Sequence, residues 1–122
     1  MPPTARYRVK FYRRRGDNPV VEELLELRQK DLQLATEVVQ DLKGLEEFGL
    51  ALPEKRLHKV KGTGLWELRS MWGHRIARSL FFEAGGMLMV VTTVFQKKSG
   101  PIPEAELRRA KVRMARWKQE RA

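Results

Sequence analysis

The sequence has no cysteine among its 122 residues. Disulfides, thiolate nucleophiles and Cys-ligated metal are therefore excluded. Histidine is almost as scarce. His58 and His74 are the only two, and neither has a carboxylate at ligand spacing, so the donors for a zinc-type site are too few. No metal and no cofactor is expected. No apolar run reaches the roughly 18 residues a membrane span needs, so no membrane partner is expected. The opening MPPTARYRVKF has no apolar signal core, which points to a cytoplasmic protein. Lys61-Gly62-Thr63-Gly64 lacks the Gly-Lys-Ser/Thr ending of a phosphate loop, so nucleotide binding is not indicated. Acid is missing from the first 15 residues altogether.

What is present is positive charge, and it is sorted by segment. Residues 1–15 carry six cations and no acid. Residues 16–54 carry ten acids and three cations, a net of −7. Residues 55–122 carry sixteen cations and five acids, a net of +11, and the three segments sum to the formal +10. Charge segregated in this way steers polyanions and favours phosphate contacts. A length of 122 residues with 42% apolar side chains fits one globular domain, residues 1–122.

Apolar periodicity gives the element order. Tyr7, Val9 and Phe11 alternate with Arg6, Arg8 and Lys10, the pattern of a half-buried strand. Asn18 is placed to cap a helix that Pro19 starts. The apolar stripe shifts phase near Gln29-Lys30-Asp31, so two helices folded as a hairpin are expected, about 19–29 and 31–47, with one long helix left open because no Gly or Pro interrupts. Residues 57–61 form a short extended piece. Strands then follow at about 65–71, 74–83 and 87–95, the last nearly all apolar and so central in its sheet. The turns at Trp72-Gly73-His74 and Ala84-Gly85-Gly86 make these three antiparallel. Pro103 opens a last helix with Leu107, Ala110, Met114 and Trp117 on one stripe. Arg108, Arg109, Lys111, Arg113, Arg116 and Lys118 cover the remainder.

The chemistry that such residues can run is narrow. RNA brings its own nucleophile, the 2′-hydroxyl, and guanidinium and ammonium groups stabilise the charge that develops on phosphate oxygens without a metal. Arg75 is the candidate phosphate clamp. Lys97 and Lys98, at the end of the third strand, neutralise from the other side, with Lys97 better placed to reach inward. Arg69 orients the backbone, and His74 is a candidate for proton transfer. Arg78, Lys59 and Lys61 are candidate RNA-binding cations, and Trp72 can stack on a base. Arg69 and Arg75 are expected to pair as cross-strand neighbours. That costs up to about 1 kcal/mol unless an anion intervenes. Glu67 is the local candidate for that anion, and an RNA phosphate is the functional one.

Three stretches together resemble a known family. Gly64-Leu-Trp-Glu-Leu-Arg69, then Gly73-His-Arg-Ile-Ala-Arg-Ser-Leu-Phe-Phe-Glu-Ala-Gly-Gly86, then Val94-Phe-Gln-Lys-Lys-Ser-Gly-Pro-Ile-Pro-Glu-Ala-Glu-Leu-Arg-Arg-Ala110 are similar to the phage-derived, HigB-like branch of the RelE/ParE toxin superfamily. The likeness covers nearly the whole chain. It implies an α+β fold: an N-terminal strand and helical hairpin, then a three-strand antiparallel meander and a C-terminal helix. It also implies a type II toxin that cuts messenger RNA on the ribosome without metal, leaves a cyclic phosphate end, and is held by a cognate helix-turn-helix antitoxin. By position, the family's strand arginine is Arg75, its terminal cation Lys97 or Lys98, and the basic residue of the preceding strand Arg69.

ParE-like members share this architecture and poison DNA gyrase, so a gyrase-directed toxin stays open. So does a catalytically degenerate nucleic-acid-binding partner. The nuclease expectation requires Arg69, Arg75 and Lys97 to meet in one solvent-open pocket.

Overall fold

The structure, a computed structural model, describes residues 6–97 and 99–121. The chain runs β1 (Arg8–Phe11), α1 (Pro19–Lys30), α2 (Leu32–Phe48), β2 (Leu57–Val60), β3 (Leu65–Trp72), β4 (Arg75–Glu83), β5 (Leu88–Gln96) and α3 (Glu104–Arg121). The five strands form one sheet in the order β1-β5-β4-β3-β2. β2 through β5 are antiparallel neighbours, whereas β1 joins β5 in parallel. The meander thus has four strands rather than three. β4 holds the centre and β5 is interior beside it. No helix among the described residues is long and apolar enough to cross a membrane.

The helical hairpin breaks where the stripe changes phase. Asp31 ends α1 and caps α2, its carboxylate accepting from Leu34 N at 3.2 Å. Asn18 does not cap α1 with its side chain. Pro19 has no N–H to satisfy, and the Asn18 carbonyl accepts the first helical bond, from Glu22 N at 3.0 Å.

Strand alternation divides the sheet into two faces. Leu68, Ser70, Ala77, Ser79 and Phe81 share the face that meets the α1–α2 hairpin, with Leu34, Val38, Leu42 and Leu45 buried in that layer. Tyr7 of the same face packs on Gly49, whose missing Cβ would stand 2.3 Å from Tyr7 Cε2. The opposite face takes α3, which lies mainly over β5 and β4. Its Trp117 ring meets Phe82 edge-on at 5.5 Å.

β1 pairs only with Leu88–Val91, leaving the second half of β5 as an open edge. A bulge begins there. Leu80 pairs with Thr93 and Phe81 with Val91, so Thr92 is the extra residue. Side chains from two helices close this edge. Glu23 accepts from Val94 N at 3.0 Å, and Arg113 donates to Thr92 O at 2.8 Å and to Glu23 at 2.8 Å. Unpaired strand edges invite foreign strands, and this one is filled from within.

Candidate functional site

The β3–β4 register is fixed by a two-residue turn. Trp72 faces Arg75 across Gly73-His74, and Gly73 supplies the positive φ of 62° that the first central position demands. Three steps further out on each strand, Arg69 lands opposite Arg78. The expected Arg69–Arg75 pairing is therefore corrected. Strand residues with an odd and an even offset from such a turn fall on opposite faces, and Arg75 lies on the hairpin face while Arg69 and Arg78 lie on the α3 face.

Two guanidiniums directly opposite each other repel unless an anion stands between them. Glu67, two residues before Arg69 and on its face, supplies it. Its Oε1 accepts from Arg69 Nε at 2.7 Å and its Oε2 from Arg78 at 3.2 Å. The Glu67 and Arg78 side chains are 3% and 2% exposed, whereas Arg69 keeps 36%. With two cations on one carboxylate, the cluster carries one surplus positive charge, and its accessible part is Arg69. His58 faces Glu67 across the β2–β3 ladder, with its buried Nε2 unpartnered among the described residues. Arg78, expected to bind RNA, is instead sealed under the sheet's cover and holds Glu67 in place.

Arg75 has a separate carboxylate. Its Nε and one terminal nitrogen grip both oxygens of Asp31, and the latter nitrogen also reaches Gln33 Oε1 at 3.4 Å. The fork ties the start of β4 to the corner of the helical hairpin. The Arg75 hydrogen bond holds Asp31 below the usual carboxylate range despite its partial burial, and Asp31 in turn raises Arg75. The Arg75 side chain remains 44% exposed.

The remaining expected residues divide between the two ends of the sheet. Trp72, His74 and Arg75 lie at the β3–β4 turn, all exposed. Lys97 joins them, because its amide donates to Ile76 O at 3.1 Å and so continues the β5 ladder one residue past Gln96. That alternation puts Lys97 on the face of Phe95, Arg78 and Arg69. Lys98 lies outside the described residues. Lys59 and Lys61 sit at the β2–β3 end, the far end of β3, about 20 Å away by strand rise. Lys59 stands 6.0 Å over the Trp66 ring. Arg69, Arg75 and Lys97 thus approach one end of the sheet from two faces, and they do not line a single pocket.

Glu67 was expected as the anion beside Arg69 and is found there; its Arg78 and His58 neighbours were not expected. His58 reads as an ordinary edge residue until the hairpin centred on Gly62-Thr63 is used to pair it with Glu67. Arg113 reads as helix surface, yet it is only 9% exposed and stands over the Tyr12 ring at 5.9 Å.

A family model described as phage derived protein Gp49-like (DUF891) matches residues 22–115, from the first turn of α1 to the last turns of α3. The chain belongs to this family. Gp49-like proteins are phage-derived and toxin-like, of the RelE/ParE type, and membership implies an antitoxin partner. No curated protein matches the chain.

Proposed function

We propose that this Gp49-like chain is the toxin of a type II toxin–antitoxin pair, of the HigB-like branch, and that it cuts messenger RNA on the ribosome without a metal. The three-cation pocket required of the sequence is not formed, because Arg75 lies on the opposite face from Arg69 and Lys97; the reading is narrowed to the two cations of one face, and the observation that carries it is the Glu67 cluster. One carboxylate compensates two opposed guanidiniums, leaving Arg69 accessible with surplus charge and Lys97 on the same face. A phosphodiester seated there gains charge-assisted hydrogen bonds from Arg69 and Lys97. In the reaction the RNA 2′-oxygen loses its proton and attacks the adjacent phosphorus. The P–O5′ bond breaks, leaving a 2′,3′-cyclic phosphate and a 5′-hydroxyl. Arg69 and Lys97 stabilise the extra charge on the non-bridging oxygens. Arg75 reaches the same end from the other face with the open side of its guanidinium, and Trp72 offers an exposed ring for base stacking. His74, exposed beside Arg75, takes the proton from the 2′-oxygen and returns one to the departing 5′-oxygen. Glu67 has both oxygens engaged and acts as a holder. Lys98 is a further candidate beside Lys97.

The helix-turn-helix antitoxin finds apolar surface on the hairpin's outer side. Leu25, Leu32 and Val39 stay exposed there, around a hollow of about 340 Å³. Joined apolar exposure of this kind marks interaction sites.

One observation favours a second reading. Arg75 is already gripped by Asp31 and Gln33, which suits a toxin that acts by binding, as gyrase-directed ParE-like members do. The test is induction of the isolated chain with transcript integrity followed over minutes, beside supercoiling by purified gyrase. The nuclease reading expects fragmented transcripts with cyclic phosphate ends and unaffected gyrase. Intact transcripts with inhibited supercoiling overturn it in favour of the second.

A further inference from the structure

A second strongly positive surface lies away from the Glu67 cluster. β1 ends at Phe11, Tyr12 is fully buried, and the chain then emerges as Arg13-Arg14-Arg15-Gly16. Arg14 and Asp17 exchange both backbone hydrogen bonds at 2.9 Å, which closes a tight turn with Arg15 and Gly16 at its tip. Gly16 has φ 74° and no heavy atom within 4 Å of where its Cβ would be, so the tip stands clear of the body. The turn abuts the C-terminal end of α3. Arg13, Arg14, Arg15 and Arg121 line one hollow of about 690 Å³. Arg14 also borders a second hollow of about 320 Å³ with Arg108 and Arg116 on the outer side of α3. The two hollows share Arg14, so the turn and the helix form one continuous surface.

The charge on it is largely uncompensated. Arg14 is held by Asp17 and Arg109 by Glu106. Arg13, Arg15, Arg108, Arg116 and Arg121 form no ion pair among the described residues. Asp17, paired with Arg14, and Glu120 are the acids that line the larger hollow. Like charges gathered at this density repel one another and favour a partner that brings a repeating negative charge. Arg13, Arg15, Arg116 and Arg121 lie outside residues 22–115, so family membership does not imply this surface.

We propose that the Arg13–Arg15 turn and the outer side of α3 together form a docking surface for the phosphate backbone of folded, A-form RNA. Three features select this occupant. The larger hollow is lined by charged and polar residues and glycine, whereas the core of a protein–protein interface is apolar and aromatic. Guanidinium forks match phosphate oxygens. Finally, the surface is made by a turn and the flank of a helix side by side, a broad footprint rather than one projecting element. A shallow basic surface suits the wide, shallow minor groove of an RNA helix and its flanking phosphates. The proposal does not rest on the nuclease reading. It concerns different residues and needs no cleavage.

The test is fluorescence anisotropy of the purified chain with a labelled RNA hairpin of about 20 base pairs, over a range of salt. A DNA duplex of the same sequence and polyglutamate serve as alternative ligands. The variant is Arg13→Ala/Arg15→Ala/Arg116→Ala, with its melting temperature measured alongside; Lys43→Ala, an exposed cation on α2 across the sheet from α3, is the control. The triple variant is expected to keep its fold and bind the hairpin roughly five- to tenfold more weakly per arginine near 0.1 M salt. Its log–log salt slope should be shallower by about 0.9 per lost contact. Lys43→Ala is expected to bind the hairpin as the parent does. Lysines at the three positions should restore most of the binding. Unchanged affinity in the triple variant, equal loss in Lys43→Ala, tighter binding of DNA, or displacement of RNA by polyglutamate at comparable charge would each overturn the proposal.

Discussion

Replacing Glu67 by Gln removes the one anion between Arg69 and Arg78. The geometry sets the magnitude. Glu67 and Arg78 are nearly inaccessible, and breaking a buried pair by neutralising one member costs about 3–5 kcal/mol, because the other charge stays buried. Arg69 is one-third exposed, and water takes over its lost partner, so it adds little. Gln keeps the shape and one acceptor oxygen, which places the loss at about 2–4 kcal/mol. For a chain of this size that corresponds to a fall of roughly 8–15 °C in melting temperature. Urea unfolding of Glu67→Gln, Arg78→Met, Arg69→Met and the two double variants gives the pairwise couplings. Glu67–Arg78 should couple by about 2 kcal/mol or more, and Glu67–Arg69 by under about 1 kcal/mol. The joint variant Glu67→Leu/Arg78→Met should recover most of the loss, as apolar replacements of buried ion pairs do. A Glu67→Gln midpoint equal to that of the parent would refute the reasoning, as would a stronger coupling to Arg69 than to Arg78.

The Asp31–Arg75 clasp predicts a pH dependence. Asp31 titrates below the usual carboxylate range when folded, so its contribution is present above the unfolded value and disappears as pH falls through the lowered folded value. The stability gap between the parent and Asp31→Asn should therefore be constant near neutrality and close only in acid; a gap that closes above about pH 5 would contradict the clasp. Gly49→Ala combines a positive φ of 59° with a Cβ only 2.3 Å from Tyr7, and it should cost about 2–4 kcal/mol in urea unfolding. Tyr7→Ala in the same background should relieve the clash and leave the backbone part. Arg113→Met strips the β5 edge of one cap and strands Glu23. It should lower stability by about 2–4 kcal/mol and raise hydrogen exchange at Val94 ahead of Val90.

Local pattern carried most of the fold. The phase change at Gln29-Lys30-Asp31 located the hairpin corner to within a residue, because two helices that bury different stripes cannot share one axis. Glycines at 73, 85 and 86 located the turns, because the hairpins need positive φ there. The parallel attachment of β1 was not legible, since alternation in Tyr7, Val9 and Phe11 fixes a face and not a neighbour. The bulge at Thr92 was hidden for a similar reason. An unbroken apolar run has no alternation to interrupt. At the candidate site the residue types were readable and their grouping was not. Pairing Arg69 with Arg75 overlooked that a two-residue turn at Gly73-His74 forces Arg69 onto Arg78. Arg113 looked like helix surface because its partners, Glu23 and the Thr92 carbonyl, are far away in sequence and come together only where β1 leaves the edge of β5 uncovered.

The central claim is that Arg69, held by Glu67 and left accessible, stabilises the phosphate during RNA cleavage. Single-turnover cleavage of messenger RNA on programmed ribosomes, comparing the parent, Arg69→Ala and Arg69→Lys, addresses it most directly. The parent is expected to give a cyclic phosphate product, Arg69→Ala a rate lower by about 10²–10³-fold, and Arg69→Lys a partial recovery. Cleavage by Arg69→Ala at the parent's rate, or no cleavage by the parent at all, would contradict it.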